Sequence, residues 1–119
     1  MRENVVKNKS FEFAIRVVRL YQFLVSDKKG FVLSKQLLRS GTSVRAMVRE
    51  SEHSESKADF IHKLSIAQKE INETIYWLEL LKATDYLTQE QFESINNDAV
   101  EIIKLITTII KTTKSNINN

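Results

Sequence analysis

The chain has 119 residues, 42% apolar and 28% charged, a balance that suits one globular domain over residues 1–119 and excludes wholesale disorder. It has no cysteine or proline and only two glycines, Gly30 and Gly41; disulfides, thiolate metal sites and cysteine nucleophiles are excluded, and an all-β fold with many tight turns is disfavoured. The net charge of +3 is unevenly spread: residues 1–30 hold seven cations against three acids and residues 56–119 seven against nine, so a polyanion-facing side belongs to the first half.

The opening MRENVVKNKS lacks the apolar run of a signal peptide. No segment approaches the ~20 apolar residues that cross a bilayer. A cytoplasmic protein without a membrane partner is expected. A first helix is predicted over about 10–28, with Ser10 as its N-cap. Phe11, Ala14, Val18, Tyr21 and Val25 repeat at helical spacing, and Phe13, Val17, Leu20 and Leu24 form a neighbouring row. Gly30 is expected to end this helix.

A second helix is predicted over about 32–50. At about 100° per residue, Lys35, Arg39, Arg45 and Arg49 fall within roughly a 120° arc, opposite Leu33, Leu37, Val44 and Val48. One side is built for burial and the other carries a stripe of positive charge. Gly41, flanked by Ser40 and Ser43, makes a small-residue patch suited to close approach of another helix.

Ser56 and Asp59 resemble a capping box for a third helix over about 57–83, whose core stripe is Phe60, Leu64, Ala67, Ile71, Ile75 and Leu78. Ile66, Trp77 and Leu80 lie on another side of it. Thr88 and Gln91 make a fuller capping box for a fourth helix over about 88–114, with Phe92, Ile95, Ala99, Ile102, Ile106 and Ile109 as its stripe and SNINN fraying beyond. Short connectors imply an all-α, antiparallel up-down-up-down four-helix bundle. Surplus apolar width on helices one, three and four points to self-association.

Little in the chain suggests chemistry. Glu50 with His53, and Asp59 with His62, have metal-ligand spacing but sit beside one connector and off the core stripes, so neither a metal nor another cofactor is expected. There is no G-x-S-x-G turn or glycine-rich phosphate loop, and no catalytic residues are assigned; the chain is read as a non-enzyme. Its aromatics do not interleave with cations as a stacking platform would. Nucleic acid, if bound, is expected to be held mainly through phosphate. Lys35, Arg39, Arg45 and Arg49 are the candidate contacts, with Arg16 and Arg19 as auxiliaries.

LLRSGTSV, then RES, then SKADFIHKLSIAQKEINETIYWLELL, resembles the four-helix bundle proteins encoded within intervening sequences of bacterial 23S ribosomal RNA genes, a family that includes accessory proteins of diversity-generating retroelements. The resemblance covers about residues 8–114. It implies a homopentamer, nucleic-acid binding and a reverse-transcriptase partner in the retroelement branch, and no catalysis. Arg39, Ser40, Ser43 and Glu50 match the helix-two motif. Arg45 and Met47 depart from its usual V-G-A-N wording, adding a cation and removing an amide. The function expected is binding of RNA or DNA, structured RNA foremost, by an oligomer through the helix-two basic face; the alternative is a scaffold whose basic face meets an acidic protein partner.

Overall fold

The computed structural model describes residues 2–28 and 30–118 and contains four helices: α1 (Arg2–Ser26), α2 (Phe31–Ser51), α3 (Lys57–Ala83) and α4 (Gln89–Asn118). Each packs on its sequence neighbours and α1 closes the ring against α4, leaving α1 diagonal to α3 and α2 diagonal to α4. Cross-helix pairs fix the directions. Lys9 meets Glu101 while Arg16 meets Asp98, and Arg39 meets Glu73 while Glu50 meets Lys63. In both seams numbers rise on one helix as they fall on the other, so these neighbours are antiparallel.

The start of α1 differs from the expectation. Ser10 is not an N-cap: it is buried mid-helix, and its hydroxyl donates to the Lys7 carbonyl at 3.1 Å. Buried Val6 extends the core seam upstream of Ser10, and that packing carries the helix back to Arg2. The two apolar rows of α1 are also reversed in rank. Phe13, Val17 and Leu24 are buried, whereas Phe11 and Val18 are exposed. The rows have similar apolar width, so spacing could not choose between them. What decides is Gly41: a Cβ there would sit 2.8 Å from both Val17 methyls, so α1 and α2 touch along the Val17 side. The small-residue patch therefore serves close helix approach, as its composition suggested. Glycine costs about 1 kcal/mol in a helix interior, and the contact with Val17 is what requires it here.

Gly30 is the N-cap of α2, not the left-handed stop of α1, and its φ of −89° is open to any residue. It is confined by space instead, because a Cβ would lie 2.8 Å from Cε1 of Tyr86. The left-handed cap occurs after α3. Asp85, at φ 67°, donates its N–H to the Lys82 carbonyl (3.1 Å), and Tyr86 donates to the Leu81 carbonyl (2.9 Å). That is the Schellman pattern with aspartate where glycine is usual.

Both predicted capping boxes form. Ser56 Oγ accepts from Asp59 N at 3.0 Å, while the Asp59 carboxylate reaches back to Glu55 N at 3.3 Å, one residue beyond the usual target. Thr88 and Gln91 are reciprocal: Gln91 N donates to Thr88 Oγ1 at 3.1 Å and Thr88 N to Gln91 Oε1 at 2.9 Å. Beyond Lys114, α4 continues to Asn118; Asn119 lies outside the described residues. The core collects Leu37, Val44, Leu64, Ala67, Ile71, Leu78, Ile95, Ala99, Ile102 and Ile106, as the stripes indicated. Buried Thr74 and Ser40 share a hydroxyl–hydroxyl hydrogen bond of 3.0 Å across the α2–α3 seam, so these two buried hydroxyls are satisfied.

Candidate nucleic-acid interface

The outward face of α2 begins from a compositional fact: no acid occurs between Phe31 and Arg49. With Leu37, Val44 and Val48 buried, the opposite arc must face away from the core. Lys35 and Arg49 are exposed there, with no ion-pair partner among the described residues. Arg49 lies in the last turn, where the macrodipole favours a cation.

The other two cations are engaged. Arg39 Nη2 meets Glu73 Oε1 at 2.6 Å, and the same oxygen accepts a long bond from Trp77 Nε1 at 3.4 Å. An exposed pair of this kind contributes about 0–1 kcal/mol, so a stronger anion can compete for the guanidinium. Arg45 departs further from the expected stripe. Its side chain is only 16% exposed, and Nη1 stands 3.8 Å from Glu52 Oε1. That is within Coulombic reach but too long for a hydrogen bond, and Nε and Nη1 are buried without a hydrogen-bond partner. Arg45 thus belongs to the inner flank of the helix. At about 280° on the wheel, against 0° for Lys35 and about 240° for Gly41, it is the nearest of the four cations to Gly41 and hence to α1.

Arg16 and Arg19 do not join the row. Arg16 Nη1 contacts Asp98 Oδ2 at 2.6 Å and its Nη2 donates to Ser94 Oγ at 2.9 Å. Arg19 borders a groove with Glu90, Gln91 and Ser94. Both therefore face α4, the helix diagonal to α2. The expected six-cation surface is corrected to a row on α2 in which Lys35 and Arg49 are open, Arg39 is shared, and Arg45 is set back.

The helix-two motif has a structural account. Arg39 reaches Glu73, Ser40 receives the Thr74 hydroxyl, and Glu50 Oε1 lies 3.3 Å from Lys63 Nζ, so three of its four residues hold α3. Ser43 donates to the Arg39 carbonyl at 2.6 Å. These residues set the α2–α3 seam, and the open cations ride on its outer edge.

Sequence reasoning passed over two exposed residues. Phe31 is 52% and Val32 76% exposed, at the start of α2. Reading the aromatics as not interleaved with cations hid Phe31. The helical wheel held the signal, since Phe31 shares its angle with Arg49 and lies about 40° from Lys35. On the diagonal corners, Phe11 (56%), Ile15 and Val18 of α1 and Tyr76 (55%) of α3 are exposed, Tyr76 packing edge-on to Trp77 with centroids 5.0 Å apart.

A separate cavity of about 490 Å³ opens at the α2–α3 connector over Val48, Phe60, Leu64 and Ile109. The rim hydroxyls are occupied: Ser51 and Ser54 donate to backbone carbonyls, and Ser56 caps α3. Of the residues with metal-ligand spacing, Glu50 pairs with Lys63 and Asp59 caps α3, and no group of three or more His, Asp or Glu gathers among the described residues. No helix among them is long and apolar enough to cross a membrane. Among the described residues, the Lys9 ammonium is held above its ordinary value by its hydrogen bond to Glu101 and then by that carboxylate's charge.

A family model described as 23S rRNA-intervening sequence protein matches residues 2–108. Among solved structures, the chain is similar to a protein of unknown function from the S23 ribosomal protein family of Bacteroides thetaiotaomicron. The two are 64% identical with a TM-score of 0.93, over 93% of this chain and 99% of the other. Among curated proteins nothing matches.

Proposed function

The chain belongs to the 23S rRNA-intervening sequence protein family, and from that premise we propose that it is a non-enzymatic, oligomeric bundle that binds nucleic acid through the outward face of α2. One observation carries the reading: an acid-free helical face about 27 Å long, by the 1.5 Å rise from Phe31 to Arg49, holds two unpaired cations and a third in an exchangeable surface pair. Lys35 and Arg49 contact phosphate directly. Arg39 joins by releasing Glu73. Arg45, set back and under-bonded, adds field and not a contact. Structured RNA, alone or in an RNA–protein complex, is the ligand that this reading favours.

The oligomer is a homopentamer, the number that the family resemblance implies. Its supporting geometry is the placement of apolar patches on diagonal helices, Phe11, Ile15 and Val18 on α1 and Tyr76 on α3. Two-fold pairing through one patch leaves the other exposed. Head-to-tail pairing covers both and, where the rotation closes, makes a ring. Native mass measurement should give a particle of five 13.8-kDa chains, and a monomer or dimer contradicts the ring.

The alternative, a scaffold that meets an acidic protein, has one observation in its favour: Arg39 already holds a carboxylate, so this surface accepts acidic side chains. Filter binding to RNA across a salt series, beside a pull-down with and without nuclease, separates the two. The nucleic-acid reading expects affinity that falls steeply with salt and partners lost on RNA and DNA digestion. Partners retained after digestion, with no RNA bound in low salt, favour the scaffold.

A further inference from the structure

We infer that the ligand on the α2 face carries at least one unpaired base, and that Phe31 is the surface on which this base stacks. The inference rests on the proposed nucleic-acid reading and specifies its substrate class: single-stranded or looped nucleic acid, not an uninterrupted duplex.

The exposure of Phe31 has no explanation in the fold of the protomer. The aromatic that packs the turn between α1 and α2 is Tyr86, whose ring lies against Gly30 so closely that a Cβ there would meet it at 2.8 Å. Phe31 is left on the outside, 52% exposed, with Val32 beside it at 76%. Burying such side chains is favourable, so two adjacent ones left in water at a helix start mark a contact surface.

The charge around them selects the occupant. Lys35 lies one turn beyond Phe31 on the same side, Arg49 falls on the same line at the far end, and α2 itself places no acid between them. Lys28 precedes the turn and is exposed. The complement is an anion that also presents a flat apolar face. A nucleotide strand supplies both, with phosphates along Lys35 and Arg49 and a base over the phenyl ring. An anionic lipid surface also combines charge with hydrocarbon. It fits less well, because the apolar side chains occupy only one end of the row and the exposed residues of α2 that follow are Lys35, Arg39, Ala46, Arg49 and Glu50. Inside an uninterrupted duplex every base is stacked on both sides and offers no free face to the ring.

The test uses the full chain and three RNA probes of equal length: a blunt duplex, a hairpin with an unpaired loop, and a single strand. Binding is measured by anisotropy at fixed low salt for the wild type, Phe31→Ala, Phe31→Tyr and Lys35→Glu, with native mass recorded for each and anionic vesicles as a fourth ligand. The inference expects Phe31→Ala to bind hairpin and single strand roughly five- to hundredfold more weakly, with duplex binding unchanged and Phe31→Tyr close to wild type. If Phe31→Ala binds the hairpin like the wild type while Lys35→Glu loses it, the stacking inference falls and the nucleic-acid reading stands. If the wild type binds none of the probes, both fall. Loss of assembly in Phe31→Ala would assign Phe31 to a subunit contact, and vesicle binding that depends on Phe31 would assign it to a lipid surface; either overturns the inference.

Discussion

The outward faces of α1 and α2 are neighbours in the bundle and opposites in chemistry. On α1 the exposed apolar row is Phe11, Ile15 and Val18; on α2, beyond Phe31 and Val32 at its start, the exposed row is Lys35, Arg39 and Arg49. Both helices bury an apolar seam, so the core constrains them alike and cannot account for the difference. The difference teaches that the two faces answer to different partners, one recognised by area and the other by charge. Salt should separate them, since screening weakens contacts to phosphate and leaves apolar contacts intact or strengthened.

The largest effect comes from breaking the seam that both faces share. Gly41→Leu must push Val17 aside, and overpacking of this kind typically costs about 1–3 kcal/mol or more. Thermal melts should show a strongly lowered Tm, with assembly and RNA binding lost together. A fully stable Gly41→Leu variant would contradict the tight α1–α2 approach.

Next in size, the two faces should come apart by mutation. Phe11→Asp with Val18→Asp is expected to reduce the native mass to that of a monomer at micromolar concentration, with the helical circular dichroism unchanged. Lys35→Glu with Arg49→Glu should leave the mass unchanged and weaken RNA binding by at least about tenfold at low salt. The pair Arg39 and Arg45, attractive from the sequence, is a poorer choice. Arg45 is largely buried beside Glu52, and a glutamate there would place two acids together and test stability instead of binding.

These substitutions also mark how far the sequence was legible. Four helices, two caps and the stripes of α3 and α4 followed from periodicity and capping chemistry, because those signals are local. The orientation of α1 did not, since its two apolar rows are equivalent until Gly41 on another helix selects one. The arc of cations on α2 was visible as an angle, but the partners were not: Glu73 lies 34 residues from Arg39 in sequence, and nothing local announces the contact. Phe31 escapes a reading in which aromatics and cations do not interleave, because its alignment with Lys35 and Arg49 shows only on the wheel and its exposure follows from Tyr86 filling the space at Gly30.

Smaller effects sharpen the account of the scaffold. Asp85→Gly should raise stability by about 0.5–1 kcal/mol, since it relieves a left-handed residue while keeping both backbone bonds of the cap. A loss of stability would show that the Asp85 side chain matters in its own right. The least effect should come from the Lys9–Glu101 pair at the α1–α4 seam. A lysine held above its ordinary value in the folded state stabilises fully below that ordinary value and loses its contribution as pH rises through the raised one. Lys9→Met should therefore flatten a slight alkaline decline in Tm and leave neutral pH almost unaffected, the pair being exposed.

The central claim is that phosphate is held by the open cations of α2. It is tested most directly by the slope of log affinity against log salt, for the wild type and for Lys35→Gln with Arg49→Gln, on one hairpin RNA. The account predicts that the double change shallows the slope by about 1.4, the value for two contacts on a single strand, while native mass and Tm stay fixed. An unchanged slope, with both proteins folded and assembled alike, would contradict it.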